Sequence, residues 1–100
     1  MDNKTTFETG SLAITATGTA EQLTAHRVPQ GHHIVVRARP TNDGYIYPGE
    51  SKAQAEANNV ELEPGASVAF AVDNASDIWA DCSVSGDTVE WVFEVGYADA

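Results

Sequence analysis

The chain has 100 residues, which suffices for one core and leaves no room for a cofactor domain beside a substrate domain. Fifteen Asp and Glu against five Lys and Arg give a net charge of -10, while 42% apolar content sets it apart from weakly hydrophobic disordered tails. That field repels phosphates, and Lys4, Arg27, Arg37, Arg39 and Lys52 are too few for the basic face that a reader of DNA, RNA or anionic lipid requires.

Along the chain the apolar residues recur with period two, the period of strands. Residues 1–6 are expected to form a flexible arm. A strand follows over residues 11–17 with Leu12 and Ile14 inward, then a weaker one over 20–26. After the turn Val28-Pro29-Gln30-Gly31, residues 31–39 turn Ile34, Val36 and Ala38 to the core and His33, Val35, Arg37 and Arg39 to the other face. The cluster Pro40-Thr41-Asn42-Asp43-Gly44 is a turn, and Gly44 and the later Gly65 stand where φ above zero or a preset φ is wanted. A weak strand over 45–47 leads to Pro48-Gly49. Residues 51–59 carry helix formers but no large apolar anchor, and read as an exposed loop with room for one helical turn.

A weak strand over 60–62 precedes the turn Glu63-Pro64-Gly65. Residues 66–73 form a strand with Val68, Phe70 and Val72 inward, and 73–77 form a turn. Ile78, Ala80, Cys82 and Val84 are in phase over 77–84, and Ser85-Gly86-Asp87 is a turn. The clearest strand is 88–97, with Val89, Trp91, Phe93, Val95 and Tyr97 on the core face and Thr88, Glu90, Val92, Glu94 and Gly96 opposite. Residues 98–100 are expected to fray. About eight short strands with regular turns predict an all-β fold: a single antiparallel β-sandwich domain over residues 1–100, jelly-roll-like.

The search for chemistry returns mainly absences. Cys82 is the sole cysteine, so neither an internal disulfide nor a multi-thiolate metal site can form, and it reads as a small core residue. The start lacks the apolar stretch of a signal peptide, and the longest apolar run, residues 68–72, is five residues; synthesis in the cytoplasm without membrane insertion is expected. No phosphate loop, Gly-x-Ser-x-Gly or His-Glu-x-x-His occurs. His26, His32 and His33 lie near one turn, but adjacent strand residues point to opposite faces, which argues against a shared metal. Asp73, Asp77 and Asp81 offer oxygen ligands at spacings unlike a calcium loop. Glu90 and Glu94 lie about 13 Å apart on an extended strand, beyond the roughly 5–9.5 Å of a glycosidase pair, and read as solvated. Tyr45, Tyr47, Trp79 and Trp91 could stack on sugar, yet Trp91 is in phase with the core and Trp79 fits a surface or a subunit contact. Asn3-Lys4-Thr5 and Asn74-Ala75-Ser76 match the glycosylation sequon without a secretory context. No catalytic, cofactor or metal residue is assigned, and a non-enzymatic role is expected.

The acidity has structure of its own. There are only two lysines, a composition suited to concentrated salt, where carboxylates hold water and hydrated cations and the Debye length shrinks to about 3 Å. Residues 1–40 hold four basic and three acidic side chains, net +1, and residues 41–100 one basic and twelve acidic, net -11. The stripe His33, Val35, Arg37 and Arg39 is either a docking strip for an acidic neighbour, such as another copy in a head-to-tail ring, or is paired with carboxylates of its own chain.

Three stretches carry a resemblance: Asn42-Asp43-Gly44-Tyr45-Ile46-Tyr47-Pro48-Gly49-Glu50-Ser51, then Leu62-Glu63-Pro64-Gly65-Ala66-Ser67, then Asn74-Ala75-Ser76-Asp77-Ile78-Trp79. In this order, after a strand ending in Leu23, they resemble N-x-G-x-I-Y-x-G-x-S, L-x-P-G-x-S and L-S-x-I-Y/W elements of small β-sandwich virion proteins of tailed viruses. The resemblance runs over about residues 12–93, with Pro48 departing from the usual β-branched residue. It implies a capsid decoration, turret or fibre-base protein, with the acidic surface pointing to a virus of a salt-loving archaeal host. It implies homo-oligomers and contacts with other virion proteins such as the major capsid protein, and brings no catalytic residues. The alternatives are a tail or fibre component, a carbohydrate-binding adhesion module meeting host-surface glycans, and, behind these, a small hydrolase-like enzyme.

Overall fold

The computed structural model describes residues 9–95, so the arms expected at 1–6 and 98–100, Tyr97 and the Asn3 sequon lie outside the described residues. Seven strands form two antiparallel sheets: β1 (Thr9–Ala13), β2 (Glu21–Gln22), β3 (His32–Ala38), β4 (Ile46–Gly49), β5 (Ser67–Phe70), β6 (Trp79–Cys82) and β7 (Thr88–Val95). The order is β1-β7-β3-β5 in the larger sheet and β2-β6-β4 in the smaller. Successive strands therefore alternate between the sheets, and no two consecutive strands pair. Each connection passes from one sheet to the other, which places most pairing far apart in sequence and predicts slow folding relative to a hairpin protein.

One core lies between the alternating faces. Ile34, Val36 and Ala38 of β3 and Val89, Trp91 and Phe93 of β7 meet Ile46 of β4, Ala80 and Cys82 of β6, and the loop residues Ile14, Leu23 and Ile78. Val68, Phe70 and Val72 pack against this cluster only partly buried, because β5 is an edge strand. The nearly all-β class, the antiparallel sheets and these inward residues agree with the period-two reading.

The weaker expectations diverge. Residues 20–26 shrink to the two-residue β2, and 60–62 give a single bridge between Leu62 and Ile46, so the described residues hold seven strands where about eight were expected. Val84 is exposed rather than inward, since β6 ends at Cys82 and the chain turns there. Residues 51–59, expected as an exposed loop with room for one helical turn, hold the short helix α1 (Lys52–Glu56), capped by Ser51 Oγ accepting from the Gln54 N–H at 3.1 Å. A five-residue helix is too short to stand alone; it is held by Ala55, fully buried against the smaller sheet. Gly49 permits that approach, because a Cβ there would lie 2.6 Å from the Ala55 nitrogen.

Gly65 has φ +90°, as the Pro-Gly turn closed by the Ala66 N–H donating to Glu63 O at 2.8 Å requires, and its own N–H donates to Ala38 O at 2.8 Å. Gly44 does not adopt positive φ. It is needed for closeness instead, since a Cβ would collide with Ser83 Oγ.

Candidate functional site

The residues first weighed for chemistry are dispersed by the fold. His26 packs its ring edge-on against Phe93 at 5.1 Å, while His32 and His33 take successive positions on β3. Asp77 closes a reciprocal cap with Asn74 at a 3-10 turn (Ala75–Asp77), Asp73 is exposed and Asp81 is buried. Among the described residues no group of three or more His, Cys, Asp or Glu gathers as a metal site. The four aromatics do not form one platform: Trp91 is buried and stacked on Phe93 at 5.2 Å, and Tyr47 is buried at 6.4 Å from the exposed Tyr45. Trp79 is half-buried. Asn74 Oδ1 accepts from the backbone N–H groups of His26 and Ser76 and from Ser76 Oγ, so this sequon asparagine builds a turn. No helix among the described residues is long and apolar enough to cross a membrane.

Sequence reasoning missed two buried carboxylates. Asp81, 2% exposed, accepts from the N–H of Gly18 at 2.9 Å and of Cys82 at 2.8 Å through Oδ1, and from Asn58 Nδ2 at 3.4 Å through Oδ2. Asn58 sits just past α1 with φ 58°, a conformation asparagine tolerates. Asp87, 6% exposed, accepts from the N–H groups of Asp43 and Gly44. Asn42 then clamps the next residue, accepting from the Thr88 N–H at 2.9 Å and donating Nδ2 to its carbonyl at 2.8 Å. An aspartate reads locally as solvent-facing, and only tertiary closure reveals such a role. Burial, then the negative charge of Asp81, Asp87 and Glu21, pushes the Cys82 thiol up to about 11, which keeps it protonated and unreactive at neutral pH.

The outer face of the larger sheet carries an open, chemically mixed surface. Register aligns Thr9, Val92, Val35 and Ala69 in one row and Ser11, Glu90, Arg37 and Ser67 in the next. Small residues on the edge strands β1 and β5 leave a shallow groove of about 570 Å³. In it Arg37 Nε and Nη2 donate to Glu90 Oε1 at 3.0 and 2.5 Å, and Arg39 Nε donates to Oε2 at 2.8 Å. Glu90, expected to be merely solvated, is therefore the carboxylate that pairs the arginine stripe, because β3 and β7 are neighbours in register.

The Arg39 and then the Arg37 hydrogen bond hold the Glu90 carboxyl below the usual carboxylate range. A depressed folded pKa stabilises above the unfolded value of about 4.3 and is lost as pH falls through the folded one. Glu90→Gln should thus cost at most about 1 kcal/mol at pH 7, and the difference from wild type should vanish in urea titrations carried down through pH 4 to pH 2.

Comparison with protein-family models, curated proteins and solved structures gives no match to this chain.

Proposed function

We propose that the chain is a non-enzymatic structural protein of a virion, a capsid decoration or turret-type part of a tailed virus of a halophilic archaeon. It acts by self-association and surface contact. The observation that carries this reading is what the resembling motifs do: each serves the frame. Asn42 clamps Thr88, Gly44 admits Ser83, Ile46 fills the core, Gly49 seats α1 and Ser51 caps it. Gly65 closes onto Ala38, and Asn74 with Asp77 caps the 3-10 turn.

A small frame with rigid turns and open edge strands offers neighbours its edges and faces. The Lys-poor, acidic composition suits concentrated salt, which screens its self-repulsion. The test is co-sedimentation: purified protein mixed with undecorated particles in multimolar NaCl should pellet with them at a fixed stoichiometry. Recovery of all the protein in the supernatant would overturn the reading.

A further inference from the structure

We propose that the arginine groove on the larger sheet is one half of a head-to-tail self-contact, and that its occupant is the Glu61 and Glu63 edge of a second copy. The inference rests on the self-associating reading above and names the surfaces that would do it. Three observations carry it.

The first is charge. Two guanidiniums share one carboxylate, so the cluster Arg37, Arg39 and Glu90 is net positive in a chain of net charge -10. Both arginine side chains remain open, at 49% and 42% exposure, with N–H donors to spare. By contrast Lys52 is engaged by Glu56 at 2.6 Å.

The second is spacing. Arg37 and Arg39 are two residues apart on one extended segment, and Glu61 and Glu63 are two apart on another. Side chains at that interval repeat at about 6.6–6.8 Å on a strand, so two arginines can each meet one carboxylate. Rigidity is the third. Leu62, between the two exposed glutamates, is buried and exchanges both backbone hydrogen bonds with Ile46, at 2.8 and 3.0 Å. The acidic pair is thus presented from a fixed extended segment rather than a loose loop. The groove floor, Val35 and Val92, supplies apolar area beneath the ion pairs.

Donor and acceptor surfaces differ, so the contact is heterologous and propagates into a ring or a filament. Salt acts on it in an unusual direction. Two chains of charge -10 repel at long range, and multimolar salt removes that repulsion, while ion pairs desolvated within the contact are screened much less than exposed ones. Association should therefore strengthen as NaCl rises from 0.2 M to multimolar.

The experiment is sedimentation of the full chain in multimolar NaCl, wild type against Glu61→Lys with Glu63→Lys, and against Arg37→Gln with Arg39→Gln. Circular dichroism establishes that each variant is folded. The glutamates are exposed, so the first variant keeps the fold even if the second does not. Both should weaken self-association more than about tenfold. An equimolar mixture should form a dimer and stop, because it has a single competent contact. Oligomers of wild-type size from the lysine variant would overturn the proposal while leaving self-association standing. So would loss of particle co-sedimentation by the glutamine variant alone, which would assign the groove to another virion protein. Wild type that is monomeric at every salt yet pellets with particles would overturn the self-contact and leave the virion reading intact.

Discussion

Replacing Asp81 by alanine should lower stability by about 3 kcal/mol, because it strips the acceptor from several donors in a nearly sealed site. Gly18 and Cys82 both donate backbone N–H groups to the same oxygen, Oδ1, and Asn58 faces the other. These bonds tie the 15–19 loop and the segment after α1 to β6, so their loss loosens the helix as well as the strand. Asp81→Asn keeps the shape and the Oδ1 acceptor, and opposes an amide to Asn58 only across the longest of the contacts; it should cost about 1 kcal/mol. For a domain of this size the two values correspond to falls in Tm of roughly 12–24 °C and 4–8 °C. Urea melts of both variants at one high salt concentration check this. An alanine variant within 1 kcal/mol of wild type would show that the site is not a structural keystone.

Salt should control whether the protein holds together at all. Under the halophilic reading, dialysis below about 0.5 M NaCl lengthens the Debye length beyond about 4 Å and brings the twelve acids against one base of residues 41–100 into mutual repulsion. The expected result is unfolding or dissociation, seen as loss of far-ultraviolet dichroism or a fall in sedimentation coefficient, and reversal on restoring salt. The described ion pairs offer little resistance, since Arg37, Arg39 and Lys52 are largely exposed and such pairs contribute at most about 1 kcal/mol each. Full stability in dilute buffer would sink the argument from composition.

Certain residues show how much was legible before the fold was known. Alternation alone places Ile34, Val36, Ala38, Val89, Trp91 and Phe93 inward, and all are buried, because a strand's pleat writes its two faces into adjacent residues. The helical turn over Lys52–Glu56 was legible in its helix formers, but its docking was not. Ala55 is a small residue whose burial is decided by Gly49 on β4 and not by any local apolar stripe. Val84 fell out of phase because β6 ends before it.

By itself, then, the sequence determined the strand class, most turns and inward faces, though not Pro48-Gly49, which lies within β4, nor Val84, and the unusual acidity, all of which depend on neighbours within a few residues or on counting charges. The tertiary structure alone decided which strand lies beside which. That choice places Glu90 opposite Arg37, seals Asp81 and Asp87 among backbone donors, and leaves Arg37 and Arg39 open across a groove. Register between strands distant in sequence is set by the packing of the whole core, so charges that look equivalent along the chain acquire different partners in space.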